Sequence, residues 1–317
     1  MNYDESDLRR AASAGIQAPS MYNSQPWSFR LRDGAIEVLA DPRRQLSVAD
    51  SWGWAMRLAC GAATFNARLA LAWAGTPADV RLLPDDGDPQ VIARLTPGAR
   101  RPPTYTERDL YAAIDRRHSH RDPFWPDPVP SDLRIRLIDA AHGEDGWLDL
   151  LVGMTALRGF SEIAHSADRV LRRNERYQAE LMAWTMTEDG GDPVLVAAGA
   201  PAAEPADLIP QRAFALRGRP PGRVYEPEPL IAVLGSPSDR RLDQVKAGQA
   251  LQRVLLTATD AGLATSMISQ PIEVPAARDQ LRRSLRRAGY PQIALRIGYA
   301  APGHPAARRD IADALAG

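Results

Sequence analysis

The sequence predicts a chain of mixed helices and short strands, built as two related halves. Three observations carry this. Asp33-Gly34 separates two strand-like runs, which specifies a two-residue hairpin. Asp50 to Ala74 and Ser238 to Ala261 are long, rich in Ala and Leu or otherwise apolar on most faces, and read as buried helices. Laid over each other with an offset of 187, the two segments match at Gly61/Gly248, Ala63/Ala250, Leu69/Leu256, Gly75/Gly262 and Pro84/Pro271. Both copies then run helix, Gly stop, short strand, Pro without a gap. Any two Ala-rich helices align somewhere, but matches at punctuating Gly and Pro positions are harder to reach by chance. A period this long is the size of a duplicated domain, not of a solenoid repeat.

The elements follow in order. Residues 5–17 read as a short helix with Ser6 or Asp7 as cap. Trp27–Leu31 and Ala35–Ala40 are the hairpin strands. The first long helix is stopped by Gly75-Thr-Pro77. Asp79–Leu83 and Gln90–Leu95 form another strand pair, and Thr96 to Pro103, with three prolines, reads as a linker. Glu107–Arg117 resembles a helix, and Ser131 is placed to cap a second one, Ser131–Ala141. Trp147–Val152 is strand-like and Met154–Thr187 helical by periodicity. Residues 190–229 hold eight prolines and five glycines; a loop this long is a lid, a binding loop or disordered. Pro229–Gly235, Ala264–Ser269 and Gln292–Tyr299 are strands, Pro275 opens a basic helix ending at Gly289, and 302–317 form a tail with a short helical end.

Bulk properties exclude several classes. Hydrophobic content of 44% and charged content of 25% belong to an ordinary soluble globular protein. Lys+Arg and Asp+Glu are 39 each, and a zero balance argues against nucleic-acid or membrane-surface binding. The basic residues are nearly all Arg, with Lys246 the only Lys, so a single Arg pair carries little weight. One cysteine, Cys60, allows no intrachain disulfide and fits a reducing compartment. The first residues are acidic and unlike a signal peptide, and no apolar run approaches the ~20 residues of a membrane span. A cytoplasmic protein is the expectation.

Two polar stretches stand out. Ala-Pro-Ser-Met-Tyr-Asn-Ser-Gln-Pro-Trp at 18–27 packs two prolines, two hydroxyls, two amides and an indole into ten positions. It suits presenting backbone N–H groups and short polar side chains, Ser20 and Asn23 among them, to a heteroaromatic edge; it also suits a plain Pro-bounded turn. Arg-Arg-His-Ser-His-Arg-Asp-Pro-Phe at 116–124 supplies positive charge. Alternation in an extended segment puts Arg117, Ser119 and Arg121 on one side, with His118 and His120 on the other. Two guanidiniums and a hydroxyl suit a phosphate, or a carbonyl that becomes negative on reduction; a solvated basic helix end fits equally. Ser266 to Pro271 follow a buried helix and a tight stop, where ligand sites are common. Arg308-Arg309 reads as an anion clamp or a charged tail. There is no GxGxxG after the first strand, no Walker loop, no HExxH and no GxSxG, and the five histidines are not at metal spacing.

Taken together, the chain resembles the flavin-dependent nitroreductase family, in its branch of fused, monomer-like actinobacterial members called the Acg family. The matching pieces are 18–27, the Asp50-to-Gly75 helix, 116–124, the Gly248-to-Gly262 helix with its Ser-Gln-Pro exit, Arg-Ile-Gly-Tyr at 296–299, and Arg308-Arg309. The resemblance implies an α+β fold, mainly antiparallel sheets flanked by helices, with an internal duplication that mimics a homodimer. Residues 1–103 would be a truncated first half and 104–317 the second, with a possible lid at 190–229 and one FMN at the junction. A pseudo-dimeric monomer is implied, and a homodimer stays open. Arg117 and Ser119 would hold phosphate and ribityl, Arg121 would sit near N1 and O2 of the ring, and Pro19, Ser20, Met21 and Asn23 would line the ring from the opposite half. Ser269 or Gln270 would lie near N5, and Arg308 or Arg309 would meet the phosphate. The family's Thr-Pro before the Arg pair is Ala306-Ala307 here. The implied activity is ping-pong hydride transfer from NAD(P)H to a nitroaromatic, quinone or related acceptor. An FMN-sequestering protein whose lid blocks nicotinamide, and an interaction protein without cofactor, are the competing readings.

Overall fold

Asp33 and Gly34 both take positive φ, +52° and +72°, as a type I′ hairpin turn requires. The computed structural model describes residues 2–84, 87–185, 207–212 and 225–316. The turn joins β1 (Trp27–Arg32) to β2 (Ala35–Ala40) in register from Trp27↔Ala40 to Arg32↔Ala35. Ahead of them lies α1 (Glu5–Gly15). Its cap is Asp4 and neither Ser6 nor Asp7: the Asp4 carboxylate accepts the Ser6 and Asp7 N–H groups, and Asp7 accepts the Asp4 N–H in return. Then come α2 (Trp54–Trp73), β3 (Ala78–Leu82) and β4 (Val91–Pro97), closing a sheet of order β1-β2-β4-β3.

Next along the chain come α3 (Tyr105–Ala113) and α4 (Ser131–His142). Thr104 and Glu107 form a capping box on α3, which stops short of the predicted Arg117. Ser131 lies inside α4 behind Pro130 and does not cap it. β5 (Trp147–Leu151) is followed by two helices, α5 (Met154–Arg172) and α6 (Glu175–Thr185), where periodicity predicted one. The break is local: Asn174 Oδ1 accepts the Tyr177 N–H and starts α6 afresh. β6 (Leu230–Ser236), α7 (Arg241–Asp260), β7 (Ala264–Ile268), α8 (Gln270–Glu273), α9 (Pro275–Ser284), β8 (Tyr290–Gly298) and α10 (Ile311–Ala314) follow, and two 3-10 turns, Met21–Asn23 and Pro42–Arg44, complete the described elements.

The second sheet has order β5-β6-β8-β7, the same as the first. All ladders are antiparallel, and both sheets shift register on their second strand, between Val38 and Leu39 and between Leu234 and Gly235. The duplication read from the sequence is therefore an α+β fold of two like sheets flanked by helices. Where the first copy turns at Asp33-Gly34, the second carries residues 152–229 with α5 and α6. Of the segment read as a lid, 190–206 and 213–224 lie outside the described residues.

The two copies meet at α2 and α7. A Cβ on Gly61 would stand 2.1 Å from the Val245 carbonyl oxygen, and one on Gly248 would stand 2.1 Å from that of Leu58. Leu58 and Val245 are themselves partners at the offset of 187, as are Arg57 and Gln244, which hydrogen-bond at 2.6 Å. The contact is thus isologous, like that of a two-fold dimer. Each helix also enters the other half's core. Trp54 and Leu58 of α2 pack with Leu251, Ile231 and Leu234, while Val245 of α7 packs with Phe29, Ile36 and Leu71. Gly61→Ala or Gly248→Ala is expected to lower unfolding free energy by about 2 kcal/mol, despite the roughly 1 kcal/mol that Ala gains over Gly in a helix. Denaturant midpoints check this; an unchanged midpoint would mean the helices can separate at no cost.

Asp50 sits buried just before α2 and accepts the Ala55 and Met56 N–H groups at 2.8 Å each. Burial pushes its carboxyl up to about 6 despite those bonds. A folded pKa above the unfolded value means the folded state holds the proton more tightly. The Asp50 contribution is therefore fully present below about pH 4 and is lost as pH rises through about 6. Asp50→Asn should remove about 3 kcal/mol from the stability difference between pH 4 and pH 7, read from denaturant curves at both pH values.

Candidate functional site

Between α1 and β1, Pro19 and Pro26 bracket a single 3-10 turn, Met21–Asn23, and the chain takes a left-handed path through it. Tyr22, Asn23 and Gln25 have φ of +55°, +57° and +49°. Asn tolerates this region; a bulky Tyr does so only under constraint. The constraints are visible. Ser20 Oγ accepts the Gln25 N–H at 2.9 Å, and the buried Tyr22 ring meets Tyr177 edge-on at 6.2 Å. Asn23 spends both ends of its amide on the C-terminal tail: Nδ2 donates to the Ala307 carbonyl at 2.9 Å, and Oδ1 accepts from Arg308 at 3.1 Å.

After α3 the Arg-rich segment runs extended along β7. The His120 N–H donates to the Thr265 carbonyl at 2.8 Å, and Ser119 bridges Thr265 in parallel. This carries Arg117, Ser119 and Arg121 to the far end of β7, beside Ser266 and Met267. Arg117 is buried; its Nη2 donates to the Gln17 carbonyl at 3.1 Å, and its buried Nε has no acceptor. No carboxylate among the described residues pairs with it. Arg308 donates to the same Gln17 carbonyl at 3.3 Å. Burial first, then the charges of Arg308 and Arg121, push the Arg117 guanidinium down to about 9; burial and Arg212 push Arg121 down to about 10. Such a corner is built for an anion that is negative at neutral pH.

These pieces line one cleft. Pro19, Ser20, Met21 and Tyr22 come from the first loop; Ser119 and Arg121 from the second; Ser266 to Gln270 from the end of β7. Trp54 and Leu58 of α2, Leu251 of α7 and Ile293 of β8 add apolar surface. A continuous recess, sharing Pro19, Ser20, Ser119, Arg121 and Met267, adds Asn23, Arg117, His118, His304, Ala306 and Arg308. Alternation holds for Arg117, Ser119 and Arg121, but His118 also lines the recess. Gly303 packs on its ring, where a Cβ would come within 2.4 Å.

Of the residues singled out in the sequence, Pro19, Ser20, Met21, Ser119, Arg121, Ser269 and Gln270 line the cleft, and Asn23, Arg117 and Arg308 line the recess. Arg309 lines neither. It donates to the Gln25 and Trp27 carbonyls at 3.2 and 3.1 Å, fastening the tail to the start of β1. There Leu315 bridges Phe29. Sequence reasoning missed Tyr22, Trp54 and Arg212. Arg212 lines the cleft with Pro210 and Gln211, pairs with the buried Glu273, and lies over the Tyr22 and Tyr177 rings at 5.0 and 5.8 Å. Tyr177 OH donates to the other Glu273 oxygen at 2.6 Å. The 207–212 segment is further held by buried Ile209 and by Ser161, which donates to the Leu208 carbonyl.

The pseudo-equivalent place in the second copy is different. Before β5, Glu144 draws in both Arg68 and Arg253, and Asp145 pairs with Lys246 at 2.8 Å. Carboxylates stand in this stretch, and it has no counterpart of the Ser20 and Asn23 pair. Among the described residues no group of three His, Cys, Asp or Glu side chains could hold a metal, and no helix is long and apolar enough to cross a membrane.

No family model matches the chain. A Mycobacterium tuberculosis protein provisionally named as an NAD(P)H nitroreductase is 33% identical, covering 98% of this chain and 92% of its own. A second protein of that organism, acg, provisionally named in the same way, is 28% identical over 92% of this chain and 89% of its own. Among solved structures, a nitroreductase with bound FMN from Desulfitobacterium hafniense is similar over 64% of this chain and 94% of its own, at 16% identity and a TM-score of 0.42.

Proposed function

The chain belongs to the nitroreductase family, in the branch of its Acg-like relatives, and from that premise we propose that it is an FMN-dependent NAD(P)H oxidoreductase. The observation that carries the proposal is buried Arg117, with an unsatisfied Nε and no acid partner among the described residues, beside a cleft lined from both polar stretches. Arg117 and Arg308 hold the phosphate, with Ser119 toward the ribityl chain. Arg121, which lines both cleft and recess, would meet the pyrimidine end of the ring. Pro19, Ser20 and Met21 line the ring from the first half, and Ser269 and Gln270 from the second. Asn23 acts through the tail, fixing Arg308. Trp54 and Leu251 exclude water from the inner face.

When bound, the flavin supplies the hydride chemistry. The chain supplies position and field: a guanidinium near N1 and O2 favours the form that carries negative charge there. Nicotinamide donor and nitroaromatic or quinone acceptor take turns at one site, a ping-pong pattern. One flavin per chain is expected, between a first half of residues 1–103 and a second of 104–317, in a monomer that mimics a dimer. Anaerobic mixing of the yellow, as-purified protein with NADH or NADPH tests this. Bleaching within seconds supports the enzyme. Reduction by dithionite alone overturns it and assigns the chain to cofactor storage beneath the 207–212 segment.

A further inference from the structure

Arg296 opens the Arg-Ile-Gly-Tyr run of β8, lines neither cleft nor recess, and is 1% exposed. Its guanidinium lies over the Phe124 ring at 4.0 Å and over the Tyr225 ring at 4.9 Å. One arm donates to Glu226 at 3.1 Å and the other to the Asp122 carbonyl at 2.8 Å. The second Glu226 oxygen accepts the Phe124 N–H at 3.0 Å, and Tyr225 OH donates to the Arg121 carbonyl at 2.7 Å. The backbone at 121, 122 and 124 is thus held by Arg296 itself or by a side chain that touches it. Outside this cluster the segment is tied to the sheet at His120, through Thr265, and at Trp125, whose N–H meets the Tyr299 carbonyl at 2.7 Å. Between those ties no ladder fixes it. A residue that only filled space here would be apolar, because burying an ion pair costs desolvation. A planar fork that serves a carboxylate and a carbonyl at once, over two rings, is a job for Arg and not Lys.

We propose that Arg296 is a positioning residue, which acts through Tyr225, Glu226 and the 121–124 backbone to fix where Arg121 meets the ligand. This rests on the reading of the cleft as a flavin site. The test uses FMN-loaded full-length protein and the variants Tyr225→Phe, Arg296→Lys and Arg121→Gln. Readouts are the two-electron midpoint potential, the visible spectrum, and the affinities for FMN and riboflavin. Tyr225→Phe and Arg296→Lys should each bind reduced flavin about tenfold less well relative to oxidised, a midpoint about 30 mV lower. Both should weaken FMN and riboflavin in equal proportion, because the phosphate corner is untouched. Arg121→Gln should shift the midpoint the same way and further.

Tyr225→Phe keeps the ion pair and the ring, so it decides the matter even if Arg296→Lys does not fold. A wild-type midpoint and spectrum in Tyr225→Phe, with Arg121→Gln shifted, overturns the proposal and leaves the flavin reading standing. An unshifted Arg121→Gln overturns the flavin role of Arg121, and the proposal with it.

Discussion

Arg117→Ala is expected to weaken FMN binding by roughly 100-fold, about 3 kcal/mol, while Arg101→Ala leaves it unchanged. Arg117 is buried in the cationic corner with an orphaned Nε, whereas Arg101 is a half-exposed partner of Glu107 on the far side of the linker. The loss should fall on the phosphate, so riboflavin affinity changes little and the FMN-to-riboflavin preference collapses. Stability moves the other way. The folded state holds the Arg117 proton less tightly than the unfolded chain, with the guanidinium near 9. At neutral pH the empty protein therefore carries a penalty that alanine removes. Apo Arg117→Ala should melt no lower than apo wild type, and FMN should raise its melting temperature far less. Equal FMN retention by Arg117→Ala and Arg101→Ala sinks the site assignment.

That residue was legible in the sequence because local spacing announced it: alternation past a helix end, in a segment too polar for core. The duplication was legible for a similar reason. Gly61 and Gly248 mark where α2 and α7 cross backbone to backbone, and only Gly fits there. Other features are pairings across long separations, which no local pattern encodes. Arg212 meets Glu273 across 61 residues, and Tyr225 reaches Arg121 across 104. Arg212 also lies in a stretch whose composition reads only as loop. The Arg308-Arg309 pair could not be divided from sequence, since neighbours on an extended tail face opposite ways. Folding sends Arg308 to Asn23 and Arg309 to the Trp27 carbonyl. Asp4, Ser6 and Asp7 are all cap-forming residue types within four positions, and the backbone, not the residue type, selects Asp4.

Glu273→Leu should be among the most damaging single changes, at about 3–5 kcal/mol. Its carboxylate is 1% exposed and serves Arg212 with one oxygen and Tyr177 OH with the other. Leucine strips both partners at once and leaves a guanidinium in an apolar setting. The double variant Arg212→Leu/Glu273→Leu should recover most of the loss, because two apolar groups replace a pair whose desolvation was never cheap. The pair also bears on the cleft. Arg212 already pushes on Arg121, and without Glu273 that push is no longer offset. An anionic ligand then relieves one more strained cation than it does in the wild type, beside Arg117 and Arg121. FMN should consequently raise the melting temperature of Glu273→Leu by more than that of wild type, and riboflavin, which lacks the phosphate, by less than FMN does. If FMN stabilises the single variant no more than wild type, Arg212 does not face the ligand, and the 207–212 segment is packing alone.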